Sequence, residues 1–330
     1  MRAYAPGRVN LIGDHTDYTE GFVLPAAIDR GTTVDLQPGG DWVELTSDAE
    51  PEPARIPLDV ADPAAVEPPW ARYVAGVVAV VRPARGGRGK VTTTLPIGAG
   101  LSSSAALEVA VALALGFRGT PLEVALACQR AEHLASGVPS GIMDQLASAA
   151  GQEGHALLID CRSYSVTPVA LPGTVDVVVA HSGQARTLAG SAYAGRRAQC
   201  EAAARIVGPL RDASLGDLDR IDDGVARRRA RHVITENARV LAFADAIAAG
   251  DLATAGRLMV DSHRSLKEDF DVSTPALDDL VERFLATPGV YGARLTGAGF
   301  GGCVVALAEA NSPAEGWRLR AAAGATVEAD

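Results

Sequence analysis

Lysine is almost missing from this chain: Lys90 and Lys267 are lysines, and the other 28 of the 30 basic residues are arginine. Together with the many alanines, this bias reflects genomic composition rather than function. Positive charge is itself in deficit, 30 Lys+Arg against 40 Asp+Glu for a net charge of −10, which repels a phosphate backbone and argues against nucleic acid as a partner. The four cysteines, Cys128, Cys161, Cys200 and Cys303, form no C-x-x-C pair. A reduced, cytoplasmic chain is expected. No apolar run approaches a membrane span, because Glu108 interrupts the best one, and MRAYAPGRVN lacks a signal-like apolar core. Gly 35 and Pro 19 stay below the level of low-complexity chains, so disorder and collagen-like repeats are excluded.

What is present is a globular composition, 48% hydrophobic and 21% charged over 330 residues, long enough for two domains sharing one seam. Alternating apolar runs bounded by Gly, Pro and Asp predict strands at 21–28 and 32–36, and the Pro- and acid-rich stretch 50–69 reads as loop. A helix is predicted over 70–81 and a strand over 90–95. A Gly/Ser loop at 98–104 then leads into an apolar helix over 105–115. Thr120, Pro121 and Glu123 form a capping box that starts a helix running to about 135. Ser140 is placed to cap a further helix carrying Asp144, and strands follow at 155–160 and 175–180. The second half reads as helices near 190–206, 225–248 and 251–268, then strands at 292–296 and 303–307 flanking Gly297, Gly299, Gly301 and Gly302.

Three stretches carry possible chemistry. In PIGAGLSSS (96–104), glycines let backbone N–H groups approach an anion, and the following helix adds its positive N-terminus. No Gly-Lys-Ser/Thr closes it, so it is not a Walker loop, and a turn with serine caps is the alternative. Arg8, Asp14, His15 and Asp17 crowd into GRVNLIGDHTDYTEGFVLP, a polar density suited to a hydroxylated small molecule or to a charged turn; the spacing is not that of a zinc site. Asp144 in PSGIMDQ is either a functional carboxylate or an ordinary first-turn acid. RRRARH (227–232) reads as a solvated helix face, and His133, His155 and His263 as structural or surface groups.

Taken together these stretches resemble one family. GRVNLIGDHTDY is similar to the galactokinase signature, PIGAGLSSSAALEVA to the ATP loop of the GHMP small-molecule kinases, and RLTGAGFGGCVV to their C-terminal glycine motif. AEHLASGVPSGIMDQLASAAGQEGHALLIDCRS, SAYAGRRAQCE and MVDSHRSLKEDFDVSTPALDDLV also resemble galactokinase segments, so the likeness runs from residue 5 to about 308.

The resemblance implies ATP-dependent phosphorylation of the anomeric hydroxyl of galactose, giving galactose 1-phosphate and ADP. It implies an α+β fold, with an N-terminal α/β domain carrying left-handed crossover features (1–170) and a ferredoxin-like C-terminal domain (171–330), the active site lying between them. Matched residue by residue, it makes Arg8 and Asp144 the catalytic pair, Asp144 accepting the proton. Asp14, His15, Asp17, Gly141 and Tyr193 become sugar contacts. Gly98, Gly100, Ser102, Ser103 and Ser104 become the phosphate loop, and Ser104 with Glu132 the Mg²⁺ ligands. The expected partners are a small sugar and Mg·ATP, in a monomer or weak dimer without membrane or nucleic acid. Two departures stand out. Asp14 occupies a position where galactokinases commonly carry glutamate, so sugar choice can differ, and HSGQART (181–187) departs from the family's Asn-rich stretch. The alternatives are a GHMP kinase for arabinose, galacturonate or N-acetylgalactosamine, and a non-catalytic galactose sensor, against which the intact serines 102–104 argue.

Overall fold

The computed structural model describes residues 1–96, 98–184 and 189–328. Strands β1 (Arg2–Asn10), β2 (Phe22–Val23), β3 (Pro25–Pro38), β4 (Trp42–Ser47) and β5 (Ala54–Pro57) precede helix α1 (Ala71–Val81) and strand β6 (Gly87–Thr93). Helices α2 (Ser103–Ala114), α3 (Pro121–Ser136) and α4 (Met143–Ala150) follow, then β7 (His155–Asp160), β8 (Val166–Ala170) and β9 (Val175–His181). The remainder is α5 (Ala189–Val207), α6 (Gly224–Ala249), α7 (Leu252–Glu268), α8 (Pro275–Leu285), β10 (Val290–Thr296), β11 (Cys303–Glu309), β12 (Trp317–Leu319) and β13 (Thr326–Glu328).

Three sheets organise the molecule. The first runs β13-β1-β3-β6-β4-β5, antiparallel except for the β4–β6 pair, so a strand from the end of the chain closes the sheet that begins it. The second is antiparallel, β10-β11-β9-β12, and the third is β2-β7-β8. The first sheet and α1 to α3 bury one apolar cluster, including Val34, Val74 and Val111. A second cluster joins the two halves, with Val9 and Leu24 meeting Val240 and Phe243 of α6 and Val305 and Leu307 of β11. Burying a side chain of that size stabilises the fold by roughly 1.5 to 3 kcal/mol, so this seam is a structural joint. The four cysteines are buried, and no helix among the described residues is long and apolar enough to cross a membrane.

The capping box forms as the sequence predicts: Thr120 Oγ1 accepts from Glu123 N, and Glu123 Oε2 accepts from Thr120 N. Other expectations need correction. The strands at 21–28 and 32–36 are replaced by short β2 and one long β3, because β1 pairs with β3 on both sides of Gly31. The loop at 50–69 contains β5, whose alternate residues Ala54 and Ile56 enter the core. The strand placed at 90–95 spans Gly87–Thr93, and α2 starts at Ser103, two residues early. Ser140 does not cap α4. Ile142 holds that position without a side-chain bond, since the Ser140 hydroxyl donates to Glu132 instead. RRRARH is solvated only in part: Arg228 and Arg231 are exposed, but Arg229 and His232 are buried. Arg229 donates to Gln199 Oε1, Asp269 O and Asp271 Oδ2, partners brought in by α5 and by the segment after α7.

Candidate functional site

A bulge in β1 begins the site. The β1–β3 register shifts between Pro6 and Arg8, and the intervening Gly7 lies so close to the serine loop that a Cβ would fall 2.5 Å from the Leu101 carbonyl oxygen. Only glycine allows that approach, and it puts Arg8 beneath the loop, with its N–H donating to Leu101 O at 3.1 Å. The Arg8 side chain donates through Nη1 to Gly100 O at 2.7 Å and through Nε to Asp144 Oδ1 at 2.8 Å, with Nη2 2.6 Å from the same oxygen. Asp144, in the first turn of α4, is 29% exposed against 5% for the Arg8 side chain, so the carboxylate is the member of the pair that meets solvent. Ser102 Oγ donates to Asp144 Oδ2. That serine has φ 57°, a left-handed conformation that costs a non-glycine residue energy and is characteristic of functional turns.

Gly98 and Gly100 have φ of 75° and 80°, and Ser103 opens α2, so the loop presents the helix N-terminus where an anion is favoured. Across the loop, Glu132 of α3 accepts from Ser104 Oγ at 3.3 Å through Oε1, and from Ser140 Oγ and Gln145 Nε2, each at 2.8 Å, through Oε2. Burial, then the nearby Asp144 carboxylate, raises its carboxyl above the ordinary range while these hydrogen bonds oppose the shift. The loop 137–141 is pinned by Gln129 and His133, both donating to Ser140 O, which makes His133 structural as the sequence suggested.

On the opposite wall, residues 14–18 form a second constellation. Asp17 lies against Gly141, where a Cβ would stand 1.9 Å from Asp17 Oδ2; no other residue leaves that carboxylate in place. Burial first, then the charges of Asp144 and Asp14, push the Asp17 carboxyl up to about 7. His15, at φ 67°, is enclosed by aromatic rings, Phe270 at 4.5 Å and Tyr193 at 5.6 Å between centroids. Burial and the neighbouring His232 lower its imidazole to about 3, so it is neutral. Nε2 faces Ala298 O at 3.2 Å and can only donate there, so Nδ1 accepts from the Tyr18 hydroxyl at 3.0 Å.

Asp14 lines the cleft and is also tied into the protein. It is buried, its Oδ1 accepts from Gly297 N at 3.0 Å, and its Oδ2 lies 2.6 Å from Arg294 Nη2. Arg294, on β10 and fully buried, also donates to Leu11 O. Beneath them Glu236 accepts from Gly13 N and Ser262 Oγ; burial would raise its carboxyl, but Arg239, His232 and Arg294 bring it to about 2. Sequence reasoning missed Arg294 and Glu236 because each is one charge in an ordinary strand or helix pattern, and the groups they tie down at the cleft, Asp14 for Arg294 and Gly13 for Glu236, lie far away in the sequence.

All the residues singled out from the sequence, Arg8, Asp14, His15, Asp17, Gly98, Gly100, Ser102, Ser103, Ser104, Glu132, Gly141, Asp144 and Tyr193, line one cleft of about 560 Å³. Tyr73, Ser136, Val138 and Met143, which the sequence did not single out, complete its wall. Residues 185–187 of the atypical segment 181–187 lie outside the described residues.

Comparison with known proteins agrees with this arrangement. Residues 1–38 match the galactokinase galactose-binding signature, 72–152 the GHMP kinases N terminal domain and 243–323 the GHMP kinases C terminal domain. The chain is 47% identical to the galactokinase of Homo sapiens over 93% of its own length and 83% of that protein's. It is also 47% identical to the galactokinase of Chloroflexus aggregans, over 93% and 84%. The crystal structure of Lactococcus lactis galactokinase complexed with galactose superposes with a TM-score of 0.91 at 32% identity, over 98% of this chain and 94% of that one. An L. major mevalonate kinase, at 20% identity and TM-score 0.66, shares the fold alone. With signature, domains, full-length relatives and fold in agreement, the chain belongs to the galactokinase family, the ATP-dependent sugar kinases of the GHMP class.

Proposed function

We propose that the cleft binds galactose against Asp14, His15, Asp17, Gly141 and Tyr193 and the ATP phosphates against Gly98, Gly100, Ser102, Ser103 and Ser104, with Arg8 and Asp144 between them. One observation supports this most strongly: the two constellations line a single cavity, and the solvent-facing carboxylate of Asp144 sits where they meet. In this reading Asp144 receives the proton of the anomeric hydroxyl as its oxygen bonds to the γ-phosphorus and the bond to the β-phosphate oxygen breaks, releasing ADP. Arg8 fixes Asp144 and places positive charge beside the transferring group, whose transition state is loose and spreads charge over its oxygens. Gly297 and Arg294 hold Asp14 in the sugar wall.

The family also implies Mg²⁺. Among the described residues no group of three or more His, Cys, Asp or Glu could hold a metal by itself. Ser104 Oγ and Glu132 Oε1 still fit the ion, because Mg²⁺ takes hard oxygen ligands and usually shares one or two side chains with substrate phosphates and water. When bound, the ion would neutralise charge on the β- and γ-phosphates. The work divides between two domains, 1–170 and 171–330, with the sugar wall drawing on both, in a cytoplasmic enzyme active as a monomer or weak dimer.

ADP release with galactose, talose, glucose and galacturonate at saturating Mg·ATP tests the reading. Galactose is expected to be used best; a clear preference for another sugar would move the assignment to another sugar kinase, and no turnover of any would leave a sensor.

A further inference from the structure

Glu108 is a carboxyl in an unexpected place. It lies one turn after Ser104 on α2, fully buried in a helix whose other residues beyond Ser104 are Ala, Leu and Val. An uncompensated buried charge is costly, yet among the described residues no cation pairs with it. Among the described residues it pairs with Gln145, whose Nε2 donates to Glu108 Oε2 at 3.1 Å and to Glu132 Oε2 at 2.8 Å. Two carboxylates converging on one end of an amide require that end to be the NH₂, so the orientation of Gln145 is fixed by the network. Both amide hydrogens are then used. What is left is two buried acceptor oxygens without partners, Glu108 Oε1 and Gln145 Oε1.

One proton resolves both orphans. We propose that Glu108 is a positioning residue: carried as the neutral acid, it pairs with the Gln145 amide at two points, O–H to Oε1 and Nε2–H to Oε2, and so aims the remaining Gln145 N–H at Glu132 Oε2. Burial, reinforced by the charges of Glu132 and Asp144, raises the Glu108 carboxyl well above its ordinary range, in accord with the neutral form. The consequence falls on Glu132. Its Oε2 is occupied by Gln145 and Ser140, so Oε1, next to Ser104, is the oxygen turned toward a cation. Gln145 also adjoins Asp144, so the same pair steadies the first turn of the helix that carries the carboxylate facing the cleft.

This inference rests on Glu132 as a metal ligand, and the test separates the two. Mn²⁺ binding in the presence of a non-hydrolysable ATP analogue is followed by the electron-paramagnetic-resonance signal of free Mn²⁺, alongside calorimetric titration of galactose without nucleotide. Glu108→Gln reproduces a neutral donor–acceptor pair and is expected to keep the parent Mn²⁺ affinity. Glu108→Met is expected to lose about 10- to 100-fold, the usual effect of removing a group that orients a metal ligand, with galactose affinity unchanged. Should Glu108→Met not fold, Gln145→Leu is expected to show the same loss. Glu108→Gln as damaged as Glu108→Met, or Glu108→Met and Gln145→Leu binding Mn²⁺ like the parent, would overturn the proposal. Glu132→Gln tells which idea has failed: if it too leaves Mn²⁺ affinity intact, the ligand assignment falls and this inference with it, whereas a loss there with a silent Glu108→Met sinks the positioning role alone.

Discussion

Arg8 grips Asp144 by one oxygen. Nε and Nη2 both reach Oδ1, at 2.8 and 2.6 Å, and leave Oδ2 to a single serine hydroxyl. A carboxylate fixed on one side and open on the other has a defined face for a substrate hydroxyl. The Gly7 bulge is what makes this possible, because it brings a buried strand residue beneath the Gly/Ser loop. Arg8→Lys keeps the charge but loses the planar fork, so turnover is expected to fall about 10- to 100-fold with galactose affinity nearly unchanged. Steady-state kinetics beside galactose titration measure the split.

Asp17 should make sugar binding depend on pH. Its carboxyl is pushed up to about 7, and hydroxyl donors from a sugar favour the ionised form. Galactose affinity is therefore expected to strengthen as pH rises from 6 to 8. Asp17→Asn should bind weakly and lose this dependence, as isothermal titration across the range would show.

The same group makes a stability prediction of defined sign. Its folded value lies above the unfolded value, so the folded state holds more protons between about pH 4 and 7, and stability is lost as pH rises through about 7. Asp17→Asn removes that loss. Its Tm is expected to exceed the parent's at pH 8 by a few degrees and to approach it at pH 5, a difference scanning calorimetry resolves.

Gly141→Ala tests the contact between the sugar wall and the turn before α4. The added methyl cannot coexist with Asp17 in its present place, since a Cβ there would stand 1.9 Å from Oδ2. Galactose KM is expected to rise about tenfold or more, the effect of losing or misplacing a charged hydrogen-bonding group, while the KM for Mg·ATP stays close to the parent value.

Much of this was legible in the sequence, for identifiable reasons. The Thr120–Glu123 box closes within a few residues and formed as expected, and the Gly/Ser loop and the polar residues 8–17 are dense enough in the sequence to stand out and line the cleft. The misreadings share a cause, namely partners that lie on other elements. Arg229 looked solvated because the groups that receive it, at 199, 269 and 271, are not on its own helix. Ser140 looked like a cap until Glu132 claimed its hydroxyl. Arg294 opens the RLTGAGFGGCVV motif, but nothing local pointed to its role in anchoring Asp14 across the seam.

The account turns on Asp144 as the group that takes the sugar proton, and single-turnover phosphate transfer in Asp144→Asn tests it most directly. With enzyme in excess over ATP and galactose saturating, transfer is expected to slow by about 10²- to 10⁴-fold while calorimetry shows galactose still bound. Transfer at a rate close to the parent's would contradict the assignment.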